Sequence, residues 1–244
     1  MEPGNTVGER EGEMDLEEFV REEEEVAGTE THRPCLSSYV DEGSKESHRY
    51  YLARRTVMEM LKDRRFAVPI EQIQLTLQEF RAIYGQIPNL DLLNVSFSHI
   101  SNPSKKIKVI FSGPGVVKVH MIRNLAGQLG DHNSYCGMIL IIENRITNPA
   151  LKALDLFSFK VEIFQITDLL VNITKHVLKP KHRILSKEEK RNLLKNHNIE
   201  EKQLPRMLKT DAIARYYGLQ RGQVVKVIYN TGITKSHVTY RCVW

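Results

Sequence analysis

Nine histidines and three cysteines are the residues of this 244-residue chain best suited to holding a metal, and their spacing works against it. No His-Glu-x-x-His run occurs, and Cys35, Cys136 and Cys242 stand far apart with no Cys-x-x-Cys pair. His176 and His182 flank Val-Leu-Lys-Pro-Lys, a segment without a cysteine or carboxylate to complete a site, so packing or hydrogen bonding is the better use of both rings. Ser112-Gly113-Pro114-Gly115 lies between an expected strand and an expected helix, where phosphate loops occur. It lacks the Gly-Lys-Ser/Thr ending and a complete Gly-x-Gly-x-x-Gly, and reads as a tight turn. A metal-dependent nuclease needs carboxylates and a lysine converging at one strand edge. Glu188-Glu189-Lys190 and Glu200-Glu201-Lys202 fall on expected helices or turns, and Asp131, Glu143, Asp155 and Glu162 bring no Glu-x-Lys to a strand. No Gly-x-Ser-x-Gly elbow or catalytic cysteine signature is present. The expectation is a protein that is not an enzyme by itself, with no metal, no cofactor and no small-molecule substrate.

The elements that would position any site follow from periodicity. Residues 45–65 place Tyr51, Leu52, Met58 and Leu61 at helical spacing, with basic residues on the other faces. Residues 70–84 carry a stripe of Ile70, Ile73, Leu77, Phe80, Ile83 and Tyr84, and Gly85 stands where a C-terminal cap belongs. From 92 to 166 strands alternate with helices: strands at 93–98, 107–112, 137–143 and 160–166, helices at 116–129 and 148–156, the second opening on Asn148-Pro149. Met138 to Ile142 is apolar without alternation, as in a strand buried on both faces. That order implies an α/β domain with some parallel pairing. Ser186-Lys187-Glu188-Glu189 reads as a capping box before a helix with Leu193 and Leu194. A short helix from Asp211 to Tyr217 closes on Gly218, followed by strands at 223–229 and 236–243 around a turn at Asn230, Thr231 and Gly232.

Charge divides the chain. Residues 1–34 have net charge −9, residues 35–170 net +3 and residues 171–244 net +11. The first stretch is rich in Glu and Gly and cannot bury enough apolar area to offset its ordering entropy, so it is expected to be disordered, with a possible short helix near Met14–Glu25 and order beginning near Tyr39. The basic C-terminal part suits polyanionic surroundings or acidic protein partners. No apolar run reaches the roughly 18 residues of a membrane-spanning helix, so no membrane is expected. The N-terminus lacks the basic-then-apolar pattern of a secretory signal, and the sparse cysteines suit a reducing compartment, where Asn172-Ile173-Thr174 is a chance glycosylation match.

Residues 204–227, Leu-Pro-Arg-Met-Leu-Lys-Thr-Asp-Ala-Ile-Ala-Arg-Tyr-Tyr-Gly-Leu-Gln-Arg-Gly-Gln-Val-Val-Lys-Val, closely resemble the signature of the fifth-largest subunit of eukaryotic nuclear DNA-directed RNA polymerases, shared with its smaller archaeal counterpart. Asp168 to His176, Pro180-Lys181-His182, Leu185-Ser186 and Val238-Thr239-Tyr240-Arg241 extend the likeness over about 168–244, and the stretch from Ser47-His48-Arg49-Tyr50-Tyr51 onward resembles the same family more loosely. Ala212 where the family has Pro, the short segment Tyr229 to Lys235, the acidic extension and Phe157 to Phe164 make the chain similar to the plant version serving polymerase V, which makes noncoding transcripts for RNA-directed DNA methylation.

The resemblance implies an α+β protein of three parts: a disordered acidic tail at 1–35, an N-terminal α/β jaw near downstream DNA at 36–166, and a small α+β assembly module at 167–244 docking on the largest polymerase subunit and its neighbours in the nucleus. Arg206, Arg215, Tyr216, Tyr217, Arg221, Tyr240 and Arg241 are the candidate partner contacts, because Arg and aromatic side chains anchor interface centres. Asp211 also suits a helix N-cap, and only one of Tyr216 and Tyr217 is expected to face inward. Arg49, Arg54, Arg55, Arg64 and Arg65 are the DNA-proximal candidates, offering phosphates a non-specific, salt-sensitive attraction; a solvated helix face explains the same residues. Polymerase II or a shared subunit role, a divergent nuclease, and a freestanding regulator that borrows the docking module are the alternatives.

Overall fold

Ser44 opens the first helix because its hydroxyl accepts the backbone N–H groups of Glu46 and Ser47. The computed structural model describes residues 43–129, 134–229 and 237–244. The acidic tail, its short helix, the start of order near Tyr39, Asp131 and the turn at Asn230–Gly232 lie outside the described residues.

Helix α1 runs over Lys45–Asp63 and buries Tyr50, Ala53, Val57, Met60 and Leu61. The stripe at 70–84 is not one helix. It forms α2 (Ile70–Gln74) and α3 (Leu77–Tyr84), parted at Leu75 and Thr76. The break has a local cause. Thr76 caps α3 in a capping box with Glu79, whose carboxylate returns to the Thr76 N–H at 2.8 Å. Of the expected stripe only Phe80 is buried, and Ile70 and Ile83 are exposed. A short α4 (Leu90–Leu93) leads into the first sheet.

That sheet has the order β1-β2-β3-β4, with β1 at Val95–His99, β2 at Asn102–Phe111, β3 at Tyr135–Ile142 and β4 at Lys160–Gln165. β1 pairs antiparallel with β2, while β2–β3 and β3–β4 are parallel. Helix α5 (Val119–Leu129) makes the first parallel crossover and α6 (Asn148–Leu154) the second. Thr147 rather than Asn148 is the N-cap of α6; its hydroxyl donates to the Val117 carbonyl. Gly113 has φ of 75°, and a Cβ there would meet the Leu90 side chain at 2.6 Å, so the glycine serves the turn out of β2.

Every residue from Gly137 to Ile142 is buried, as the unalternating pattern implies. Ile139 and Ile141 join a cluster with Tyr50, Val57, Leu61, Phe164 and Tyr216 on the α1 side. Met138, Leu140 and Ile142 join Ile122, Leu129, Ala150 and Leu154 on the α5–α6 side. At about 1.5–3 kcal/mol for each large buried side chain, this strand is the centre of a three-layer stack.

The second sheet has the order β5-β7-β8-β6: β5 at Lys181–Ile184, β6 at Arg206–Met207, β7 at Val224–Tyr229 and β8 at His237–Val243. β5 and β6, absent from the sequence reading, are too short to show a period. Helix α7 (Lys187–His197) starts in the expected Ser186–Glu189 capping box, and α8 (Ala212–Tyr216) starts at Asp211, whose carboxylate accepts the N–H groups of Ile213 and Ala214. One face of this sheet buries Val225, Val227 and Val243, and the other buries Val224 and Cys242 against Leu193 and Leu204. No helix of the described residues is long and apolar enough to cross a membrane.

The Thr76 cap is testable. Thr76→Ala is expected to destabilise the full chain by about 1 kcal/mol in urea unfolding, while Ser96→Ala on the exposed face of β1 leaves the midpoint unchanged.

Candidate interface site

The segment around α8 is built on a helix end. Gly218, with φ of 64°, follows Tyr217, and the Leu219 N–H reaches the Ala214 carbonyl at 2.9 Å while the Gly218 N–H reaches that of Arg215 at 3.0 Å. This Schellman closure still leaves carbonyls of the last turn wanting donors. Arg64 supplies them from just past the end of α1. Its Nε donates to the Tyr216 carbonyl at 2.8 Å, and its Nη2 donates to the Arg215 carbonyl at 2.6 Å and to Glu162 Oε2 at 2.8 Å. Lys160 donates to the other Glu162 oxygen at 2.9 Å and to the Gly218 carbonyl at 3.4 Å. The Arg64 side chain is only 8% exposed. A Cβ on Gly218 would lie 3.0 Å from its guanidinium carbon, a second reason for glycine there.

Tyr216 completes the seam. Its ring is buried in the first cluster and its hydroxyl donates to Asp63 Oδ2 at 2.8 Å while accepting from Asn172 Nδ2 at 3.3 Å. Asn172 also donates to Glu59 Oε2 at 2.6 Å, and Lys175 pairs with the same carboxylate. Tyr217 is half-buried, edge-on to Tyr216 with centroids 5.1 Å apart. Arg215 lies over the Phe164 ring at 4.6 Å and donates to the Ile163 carbonyl at 2.9 Å and to Asp168 at 3.1 Å. Two of the expected contacts, Arg215 and Tyr216, therefore hold the two sheets' surroundings together.

A second group faces solvent. β6 runs parallel to the end of β8, so the Trp244 N–H reaches the Met207 carbonyl at 2.9 Å and the Lys209 N–H reaches the Trp244 carbonyl at 3.1 Å. The indole fixed there has the Arg206 guanidinium 4.4 Å and the Arg221 guanidinium 4.9 Å from its centroid. Each such contact is worth about 0.5–1 kcal/mol at an exposed site. Arg206, Arg221 and Arg241 are exposed, and Tyr240 is half-buried against the cluster of Leu193 and Leu204. Trp244 was missed in the sequence reading; a tryptophan next to a terminal strand with arginines upstream is the signal. Exposed Val171, Val177 and Leu178, apolar residues in the irregular stretch before Pro180, were missed too.

The arginines of α1 divide. Arg54 is buried, donates to Gln72 and lies 5.3 Å over the Tyr84 ring. It and Arg64 are turned inward, because α2, α3 and the α8 turn cover them, and so neither is presented to DNA as the sequence reading expected. Arg49 and Arg55 are partly or fully exposed and pair at 3.5 Å with Glu143 and Glu59, and Arg65 is exposed. Among the acids weighed for catalysis, Glu143 accepts from Tyr50 and Glu162 is held by Arg64 and Lys160. His176 Nδ1 accepts the Leu178 N–H, and His182 Nδ1 sits 2.8 Å from the Pro180 carbonyl.

Residues 44–129 match the family model "RNA polymerase Rpb5, N-terminal domain", and residues 171–243 match "RNA polymerase Rpb5, C-terminal domain". The chain is 57% identical over 221 residues to DNA-directed RNA polymerase V subunit 5A of Arabidopsis thaliana, covering 90% of this chain and 100% of that protein. It is 55% identical over 204 residues to the DNA-directed RNA polymerases IV and V subunit 5B of the same plant, covering 84% and 94%. The DNA-directed RNA polymerases I, II, and III subunit RPABC1 of Caenorhabditis elegans is 30% identical over 205 residues, covering 81% and 97%.

Replacing Arg64 by Ala leaves buried carbonyls and Glu162 without their donor, and is expected to cost about 3 kcal/mol in denaturant unfolding. Arg64→Lys recovers little of that loss, because an ammonium lacks the planar fork. Acid acts on the same seam. Burial works against the Glu162 carboxylate, but the Arg64 guanidinium and the Lys160 ammonium outweigh it and hold its pKa below the ordinary 4.5. A depressed folded pKa means stability that is full above the unfolded value and lost as pH falls through the folded one. Unfolding midpoints followed from pH 7 down through this range should fall less in Glu162→Gln than in the unaltered chain.

Proposed function

Because the chain belongs to the Rpb5 family of RNA polymerase subunits, we propose that it is a non-catalytic structural subunit of a nuclear polymerase of the plant polymerase V type. The observation behind this reading is the step in identity, from 57% and 55% for the polymerase V and polymerase IV and V subunits to 30% for the subunit of polymerases I, II and III. In this role the protein contributes shape and assembly contacts, phosphoryl transfer and magnesium belong to the larger subunits, and the transcripts serve gene silencing.

The parts divide the work as 1–35, 36–166 and 167–244. The module at 167–244 docks on the largest subunit and its neighbours. Its solvent-facing anchors are Arg206 and Arg221 on Trp244, with Arg241, Tyr240 and Tyr217 beside them. Arg215 and Tyr216 act behind that surface by fixing its shape. The part at 36–166 is the jaw beside downstream DNA, where Arg49, Arg55 and Arg65 offer phosphates a weak attraction without base reading.

The test is purification of the tagged full chain from nuclei of its own source, with every co-purifying polymerase subunit quantified. Recovery in equal amount with the largest subunit of polymerase V is the expected result. Equal recovery with the largest subunit of polymerase II would move the chain to that enzyme, and recovery without polymerase would end the subunit reading.

A further inference from the structure

The outer face of the first sheet holds a groove that neither the seam nor the indole site uses. It lies between α5 and α6, about 800 Å³ in volume, with Val119, Arg123, Ala126, Lys152, Leu156 and Phe157 among its walls. Each helix presents one row at helical spacing: Val119, Ile122, Arg123 and Ala126 from α5, and Pro149, Lys152 and Ala153 from α6, with Leu156 just beyond. Ala126, Ala153 and Pro149 are short, so the floor between the helices stays open. Leu156 stands at its mouth 86% exposed.

The charge around the groove has one sign. Residues 116–129 and 145–155 hold Lys118, Arg123, Arg145 and Lys152 against one acid, Asp155. An apolar floor with a basic rim is complementary to an amphipathic helix that is acidic on its polar face and anchored by apolar residues at i, i+3, i+4 and i+7. We propose that the groove between α5 and α6 docks an acidic amphipathic helical segment of a partner protein. The apolar residues of that segment meet Val119, Ala126, Ala153 and Leu156, and its acids meet Arg123 and Lys152. The site is on the sheet face opposite α1 and Tyr216, so it stands apart from the polymerase-docking role.

The probe is a fluorescein-labelled synthetic peptide, rich in Glu, with Leu and Phe at i, i+3, i+4 and i+7, titrated with the full chain by anisotropy. Saturable binding is expected, about tenfold weaker for Leu156→Ser. Arg123→Glu and Lys152→Glu weaken it as well and flatten its salt dependence, whereas Lys187→Glu and Lys195→Glu on α7 leave it unchanged. On the unaltered chain, slowed amide exchange upon peptide addition should centre on 119–126 and 149–158, a readout that needs no variant. Absence of saturable binding, equal binding of a peptide with Ser in place of Leu and Phe, or equal weakening by the α7 variants would each overturn the proposal. So would sedimentation showing a dimer that Leu156→Ser dissociates, which assigns the groove to a second copy of this chain.

Discussion

The guanidinium of Arg64 meets three acceptors at once: two carbonyls at the end of α8 and one carboxylate on β4. Those acceptors come from two different sheets' surroundings, and a buried planar fork is the group able to satisfy them in fixed geometry. Much of the molecule is arranged around this contact. α1 has to end at Asp63 for Arg64 to turn away from the helix, Gly218 has to lack a side chain, and Lys160 has to neutralise the far oxygen of Glu162. The direction in which α8 leaves the seam, and with it the orientation of the basic C-terminal surface, is set here.

The first sheet supplies the rigid body on which that contact acts. β3 is buried on both faces, so it requires a layer on each side. One side receives α1 together with Tyr216 from the C-terminal part, and the other receives α5 and α6. The division explains why the outer helices show a groove while the inner side shows a filled seam. An inward face of a subunit must fit itself, whereas an outward face is free to fit others.

Much of this was legible in the residues. Met138 to Ile142 gave away the central strand, Ser186–Glu189 the start of α7, and Asp211 with Gly218 both ends of the short helix, because each is a local pattern with a local cause. The failures share a different origin. The stripe at 70–84 concealed a break that Thr76 and Glu79 announce, and a continuous apolar period outweighed a cap within it. β5 and β6 are two to four residues long and exist through partners far along the chain. The arginines of α1 look alike in sequence, yet Arg54 and Arg64 point inward and Arg49 and Arg55 outward, a distinction decided by elements packed later. The Arg206–Trp244–Arg221 stack was unreadable for the same reason: a parallel pairing of β6 with β8 assembles it.

Tyr216 belongs to the core that Tyr50, Val57 and Ile139 line, although its hydroxyl partner Asp63 precedes it by 153 residues. During synthesis the three layers around β3 leave the ribosome well before that ring does. Until then the nascent chain exposes an apolar hollow, together with an Arg64 that lacks its acceptors. Long-range closures of this kind are slow, and they leave the growing chain dependent on chaperones while they are pending. A prematurely terminated product remains in that open condition and is marked for proteolysis by its own unfilled interior. The last stretch of the chain thus serves as a proof of completion, so that only finished molecules become compact enough to compete for a place in an assembly.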